Sequence, residues 1–489
     1  MPGKNPVPQI AACVALLAVT ITGCTTSAPY RYESIKAEYT EPAARKNGSE
    51  TAGNAPVERI VNNTLTLQNV LDIARANNPD LLMAIARIDR AQALLNKSTA
   101  PFYPRVNVYT EYLQGDAPSA YLFKTIDQRK LPPDVDFNDP GWFENYESGV
   151  SAAMNLFSGG RDRLNREIAK SGLTISQLDR DSVENQVMAT AISAYYDIIA
   201  AANFITVAEA SMETTRSQLR IMEVRYRSGG ALKSDLLSLQ VRVAEIEEIL
   251  LKSRNQERLA KAALAEILGA EPNTPFTIQE AHAYAINVPE NQFTALEYAI
   301  DHRPELSRIR EKLRQSKMVV DASRAGYLPQ LDFLTRYYAD DPDMKYSADR
   351  ANWTAAFYLN WNIFDGFATK NERAEALSQL QETLAADRKM LLAVKFDVKR
   401  AYLNLSEAEA RLKVATANVA TAEETFQMVK HQYDGGSVDI TRYLEAELAY
   451  SRARIRETNA YSDREKARAQ IARSIGYWVG NRDTATREG

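Results

Sequence analysis

The apolar residues of this chain keep one of two periods, and the period changes at matching places in its two halves. From Pro104, Val106, Val108, Thr110 and Tyr112 alternate with Arg105, Asn107, Tyr109 and Glu111. The same alternation sets Leu331, Phe333, Thr335 and Tyr337 against Gln330, Asp332, Leu334 and Arg336. A second alternating run follows each: Tyr146, Ser148, Val150, Ala152, Met154 and Leu156, then Trp353, Ala355, Phe357, Leu359, Trp361 and Ile363. A period of two with one apolar face predicts four strands. Elsewhere the period is helical. Opening helices are expected over about 67–97 and 294–324, each with a proline inside, Pro79 or Pro304, where a helix kinks or restarts. Longer proline-free helices are expected over about 161–227 and 369–434. Their apolar residues recur in steps of four and three, from Val187, Ala191 and Ala194 to Tyr226, and from Val394, Val398 and Ala401 to Tyr433. That is a sustained heptad, the mark of coiled-coil packing. Each long helix ends at a glycine pair, Gly229-Gly230 or Gly435-Gly436, suited to a left-handed terminus, and a return helix follows to about 268 or 477.

The halves are copies. Ala74-Arg-Ala-Asn-Asn-Pro79-Asp-Leu81 returns as Ala299-Ile-Asp-His-Arg-Pro304-Glu-Leu306. At a slightly smaller offset, Leu156-Phe-Ser-Gly159 returns as Ile363-Phe-Asp-Gly366, Ala194-Tyr195 as Ala401-Tyr402, and Tyr226-Arg-Ser-Gly229 as Tyr433-Asp-Gly-Gly436. A tandem duplication predicts two like units packed together. The change of offset places a difference of about 18 residues in the loops between strands, about 114–143 and 340–351, where a surface loop tolerates it. A helix of about 67 residues is on the order of 100 Å long, close to an opening helix plus a return helix. Opening and return helices are therefore expected to stack end to end beside the long one, making each repeat a rod capped by a β-hairpin.

Strand parity is the same in both copies, and aromatic residues lie toward strand ends (Tyr112, Tyr146, Tyr337, Trp353, Trp361), as in the girdles of a membrane barrel facing outer membrane lipid. Strands in lipid must close, and four cannot close alone. Two chains would give eight strands and a filled interior; three give twelve and room for water. A homotrimer is expected, its barrel continuing into a helical tube with the polar strand residues facing the pore.

Composition narrows the alternatives. The chain has 489 residues, 45% of them apolar, and a formal charge of −4, which offers no basic surplus for nucleic acid. The histidines, His282, His302 and His431, are far apart and in no metal-binding spacing, so no metal or cofactor is expected. No phosphate loop or GxSxG element occurs, which argues against an enzyme. Near the N-terminus, Lys4 and a short apolar run from Ile10 to Ile21 precede Thr22-Gly23-Cys24. The run is too short to span a bilayer and reads as a secretory segment. Ile21-Thr22-Gly23-Cys24 resembles the lipobox of bacterial lipoproteins, which implies that Cys24 becomes the acylated first residue and, with Thr25 after it, delivery to the outer membrane. Cys13 would leave with the signal, so no intrachain disulfide is expected.

Together the duplication, the repeated Leu-Phe-x-Gly and Tyr-x-x-Gly elements and the lipobox resemble the TolC-like outer membrane efflux proteins, in their lipoprotein branch, over about 65–478. The resemblance implies an α+β membrane protein: a trimeric twelve-stranded outer membrane barrel and a long periplasmic coiled-coil tunnel, the passive exit duct of an inner membrane transporter coupled through a periplasmic adaptor. It also implies that the hairpin tips, Tyr226, Gly229, Gly230, Tyr433, Gly435 and Gly436, meet the adaptor. A ring of carboxylates narrows the family's periplasmic entrance, and one of them falls at Glu445. Another falls where this chain has Arg442, while Asp235 occupies the equivalent place in the first repeat, so the charge pattern of the gate differs. The expected organisation is a signal peptide (1–23), a lipidated tether (24–64), repeat 1 (65–270, hairpin about 102–157), a linker (271–293), repeat 2 (294–478, hairpin about 327–364) and a tail (479–489). A periplasmic adaptor lipoprotein is the rival reading, although it leaves the four strands of matched parity unexplained; the exit duct of a type I protein secretion system is an alternative within the channel class.

Overall fold

A computed structural model describes residues 60–479, apart from 62, 280–285, 287, 348 and 349. The chain divides into Met1–Ala55 and Pro56–Gly489. The first unit lies outside the described residues, and with it the expectations for the signal segment and Cys24. In the second, repeat 1 runs β1 (Thr64–Leu65), α1 (Leu67–Asn77), α2 (Pro79–Lys97), β2 (Arg105–Gly115), α3 (Pro118–Asp127), β3 (Phe143–Phe157), α4 (Arg161–Arg227) and α5 (Lys233–Ile267). After β4 (Thr277–Ile278), repeat 2 runs α6 (Gln292–His302), α7 (Pro304–Ser323), β5 (Gln330–Asp341), β6 (Ala351–Asn360), α8 (Ala368–Asp434) and α9 (Ile440–Ile475).

Both opening helices break at the residue before the proline, which proline holds out of the helical region: Asn78 has ψ 128° and Arg303 ψ 114°. Each break receives the C-terminal end of the return helix of its own repeat. The Asn78 side chain accepts from the Asp80 and Leu81 amides at 3.0 and 3.3 Å and donates to the Ile267 carbonyl at 2.8 Å. Arg303 donates to the Ser474 carbonyl at 3.0 Å. The end carbonyls of a helix lack partners within it, so one side chain at each break stacks return helix upon opening helix. The repeated tyrosines serve the same frame. Tyr195 donates to the Gln279 carbonyl at 2.5 Å and Tyr402 to that of Pro289, each pinning the segment between the repeats. Burial pushes the Tyr195 hydroxyl up to about 12.

The seams of α4 and α8 are buried at most of the heptad positions, including Val187, Ala191, Ile198, Ala208, Met212, Val394, Val398, Ala401, Ala408 and Ala415. Alanine at alternate seam positions lets the backbones approach closely. α4 is the one helix among the described residues with a stretch long and apolar enough to cross a membrane, and most of that stretch is buried in the bundle.

The four long strands form one antiparallel sheet in the order β2-β3-β5-β6, so the β3–β5 ladder joins the repeats and β2 and β6 are left as open edges. Two expectations are corrected and a third is sharpened. The long first loop is not merely a loop: residues 118–127 form α3. β6 ends at Asn360, short of Trp361 and Ile363, because the chain turns there toward α8; both side chains stay exposed. Only one glycine of each tip pair is left-handed, Gly229 (φ 77°) and Gly436 (φ 75°).

Candidate functional site

Register decides what the sheet presents. Val106 pairs with Ala152, Val108 with Val150, and Val150 in turn with Tyr337 and through it Trp353; Met154 pairs with Phe333 and Phe333 with Phe357. Every outward position meets an outward position, so one apolar face runs across all four strands. It is bare: Val108 is 82% and Trp353 74% exposed. A contiguous exposed surface of this kind needs an apolar surrounding.

The opposite face is polar and tied together. Tyr109 donates to Glu147 at 2.6 Å and accepts from Arg336 at 2.7 Å, while Arg336 also pairs with Glu147. Lys124, on α3, reaches Glu147 at 2.5 Å and Asp340 at 3.0 Å. Asn145 donates to Asp340 at 2.6 Å. Residues from three strands and one loop helix therefore share a single charge-assisted network.

At the far end, each long helix closes with the same capping bonds. The Gly230 amide donates to the Arg225 carbonyl, and the Ser437 amide to that of Gln432, both at 2.8 Å across a left-handed glycine. These are Schellman caps, with Gly229 and Gly436 as the residues that need a positive φ. Gly230 and Gly435 flank them without that requirement. Tyr226 and Tyr433 are not equivalent. Tyr226 is 39% exposed, whereas Tyr433 is 7% exposed in a cluster with Met222, Leu239, Phe426, Ile440 and Tyr443. Burial raises the Tyr433 hydroxyl pKa above its ordinary value, Arg225 opposing and Asp235 and Asp434 assisting. Asp235 of the first hairpin thus lies within electrostatic reach of Tyr433 of the second.

Arg442 and Glu445 stand one turn apart at 3.5 Å, both largely exposed. Asp439 caps their helix by accepting from the Arg442 amide at 2.9 Å. The polar contact joining the hairpins near this end is a different one. Glu447, buried, accepts from Arg242 at 2.9 Å, from Ser451 at 2.8 Å and from Ser211. Arg242 is itself buried and also reaches Glu245 at 3.1 Å. The signal for it was present in the sequence: Arg242 takes a seam position between Leu239 and Ile246, where a charge calls for a buried partner. Nothing local, however, points to Glu447.

A sheet with one bare apolar face, one polar face and two open edges, continuing into rods on the order of 100 Å long, is a subunit of an outer membrane channel. The chain belongs to the outer membrane efflux protein family, whose model matches residues 70–270 and 295–477. It is similar to the pyoverdine export outer membrane protein OpmQ of Pseudomonas aeruginosa, 22% identical over 86% of this chain and 87% of that protein. Protein CyaE of Bordetella pertussis is 23% identical over 82% and 81%. The Campylobacter jejuni CmeC outer membrane channel shares the fold, with a TM-score of 0.74 at 16% identity over 84% of this chain and 85% of CmeC. The fold is thus the family's trimeric twelve-stranded barrel with a helical tunnel. The protein is an outer membrane exit channel of a tripartite export system, with a large periplasmic portion.

Proposed function

We propose that three copies of this chain close the barrel by pairing β2 of one with β6 of the next, and that the resulting homotrimer takes cargo passively from an inner membrane transporter through a periplasmic adaptor. The observation that carries this is the register: apolar positions meet apolar positions across all four strands while both edges stay open. A soluble adaptor has no use for such a sheet. The chain performs no chemical step, and cargo is chosen by the pump. Acylation of Cys24 anchors the N-terminus in the outer membrane. The tips meet the adaptor through Tyr226, Gly229, Gly230, Gly435 and Gly436, with Tyr433 buried behind the second tip. Three copies each of Asp235, Arg442 and Glu445 set the charge of the narrow periplasmic end, where Arg442 neutralises Glu445 in the closed state.

Fractionation, gel mobility and planar bilayers test this together. The full-length protein is expected in the outer membrane as a heat-modifiable trimer that conducts ions; a monomer in the soluble periplasm would return the adaptor reading. For the narrow end, Glu445→Ala is expected to change single-channel conductance and weaken block by multivalent cations. Conductance and block identical to wild type would remove Glu445 from the gate.

A further inference from the structure

The two repeats differ most in length at the outer end of their strands, where residues 116–142 connect β2 to β3 and only 342–350 connect β5 to β6. The extra chain in the first repeat does not extend outward. It folds back over the polar face of the sheet. Tyr121 of α3 packs edge-on against Phe143 at 5.6 Å between ring centroids. One turn on, Lys124 bridges Glu147 of β3 and Asp340 of β5; another turn on, Gln128 donates to Asn145 at 2.8 Å. Beyond the helix, Lys130 reaches Asp341 at 3.3 Å, and Arg350 from the short loop pairs with the same carboxylate at 2.5 Å. Phe143, Asn145, Glu147 and Asp340 share the face that lines the pore, and all four are already buried within one chain. α3 is what covers them.

The helix has a second face. Phe123 and Ile126 point away from the sheet and are exposed, Phe123 at 66%. Twelve strands about 4.8 Å apart and tilted about 40° make a cylinder about 25 Å across. Three helices, each about 10 Å wide with side chains, nearly fill such a cylinder. The apolar faces are thus brought to the axis, where each has the same face of two other copies to meet.

We infer that α3 is an outer constriction of the pore: Lys124 latches it to the lumenal face through Glu147 and Asp340, and Phe123 and Ile126 from three chains form an apolar ring at the axis. An apolar ring resists wetting, so it lowers the passage of ions and water while the latch is closed. The barrel would then be narrowed at its outer end by the first repeat alone, independently of the helical end. Passing cargo must push three α3 helices aside against charge pairs that share two buried carboxylates.

This inference rests on the exit-channel reading, and the test separates the two. Thr354 pairs with Arg336 on the lumenal side of β6, four residues deeper than Asp340, about 13 Å at about 3.3 Å per residue. Thr354→Cys in the full-length protein gives a thiol that a membrane-impermeant polymer maleimide, added to intact cells, reaches only through the outer mouth; the parent without this cysteine supplies the background. Labelling is expected to be slow with the native loop and about tenfold faster or more with Lys124→Glu, which sets a third carboxylate beside Glu147 and Asp340. If Lys124→Glu gives no heat-modifiable trimer, deletion of 118–127 provides the same comparison. Equal rates with the native loop and with the variant that assembles would overturn the inference. Trimers that carry no current in a planar bilayer even after deletion of 118–127 would instead overturn the channel reading.

Discussion

The two repeats use equivalent positions for the same work along the middle of the molecule and different work at its two ends. Asn78 and Arg303 sit at matching breaks and each seizes a carbonyl in the last turn of a return helix, one with an amide and one with a guanidinium. Tyr195 and Tyr402 pin the connecting segment with the same hydroxyl-to-carbonyl bond. The copies part at the outer loops, where among the described residues only the first builds a helix, and at the tips, where Tyr433 is buried and Tyr226 is exposed. Duplication kept what holds the rods straight. Divergence collected where the pore is proposed to narrow.

The largest expected effect comes from the buried contact that binds one hairpin to the other. Arg242→Ala leaves Glu447 charged, buried and short of its main cation, a loss of about 3–5 kcal/mol in comparable pairs. Thermal unfolding of the solubilised trimer and tryptic cleavage near the tips should both report it. The double substitution Arg242→Met with Glu447→Leu should recover most of the loss, because it removes both charges. Arg442→Ala breaks an exposed pair and should cost under about 1 kcal/mol. If Arg242→Ala were as mild as Arg442→Ala, the hairpins would be held by seam packing alone.

Legibility in the sequence followed the range of the interaction. Strand parity could be read because a period of two needs only neighbours, and the helix breaks because Pro79 and Pro304 act on the residue before them. The caps at Gly229 and Gly436 were visible as glycine pairs, although which glycine takes the positive φ depends on where the last turn ends. α3 was hidden. Its segment is bounded by Asp, Pro and Gly, and its helix is held in place by Phe143, Asn145, Glu147 and Asp340, residues that reach it only after the sheet has formed. Glu447 was hidden for the same reason, lying 205 positions from the arginine it pairs with. Asp235, Arg442 and Glu445 could be placed in register with the family's narrow end, but no local rule shows which charges are buried and which remain in water.

The tip tyrosines offer the next contrast. Tyr433→Ala empties a packed site between Phe426 and Tyr443 and should cost about 3 kcal/mol, whereas Tyr226→Ala should cost under about 1. Equal losses would mean that the tips are equivalent in the assembled trimer. The Tyr433 hydroxyl also makes a signed prediction. Burial raises its pKa above the ordinary tyrosine value in the folded state, so the native chain holds this proton more tightly than the unfolded chain. The associated stability is intact below the unfolded value and is lost as pH rises through the folded one. Tyr433→Phe should reduce the alkaline loss of tip protection.

The smallest effect tests where the copies should agree. Gly229 and Gly436 have φ of 77° and 75°, and no atom lies within 4 Å of where a Cβ would sit. Alanine at either position therefore meets no clash, and only its own backbone opposes the conformation, at about 1 kcal/mol. Because the penalty is local, it should be the same in both repeats, although one tip is anchored by a buried tyrosine and the other is not. Gly230→Ala and Gly435→Ala, which need no positive φ, should be milder, and tryptic cleavage of the tips can rank all four. A Gly436→Ala loss well above that of Gly229→Ala would show that the second tip is strained by its packing, and the two hairpins would then differ in backbone as well as in side chains.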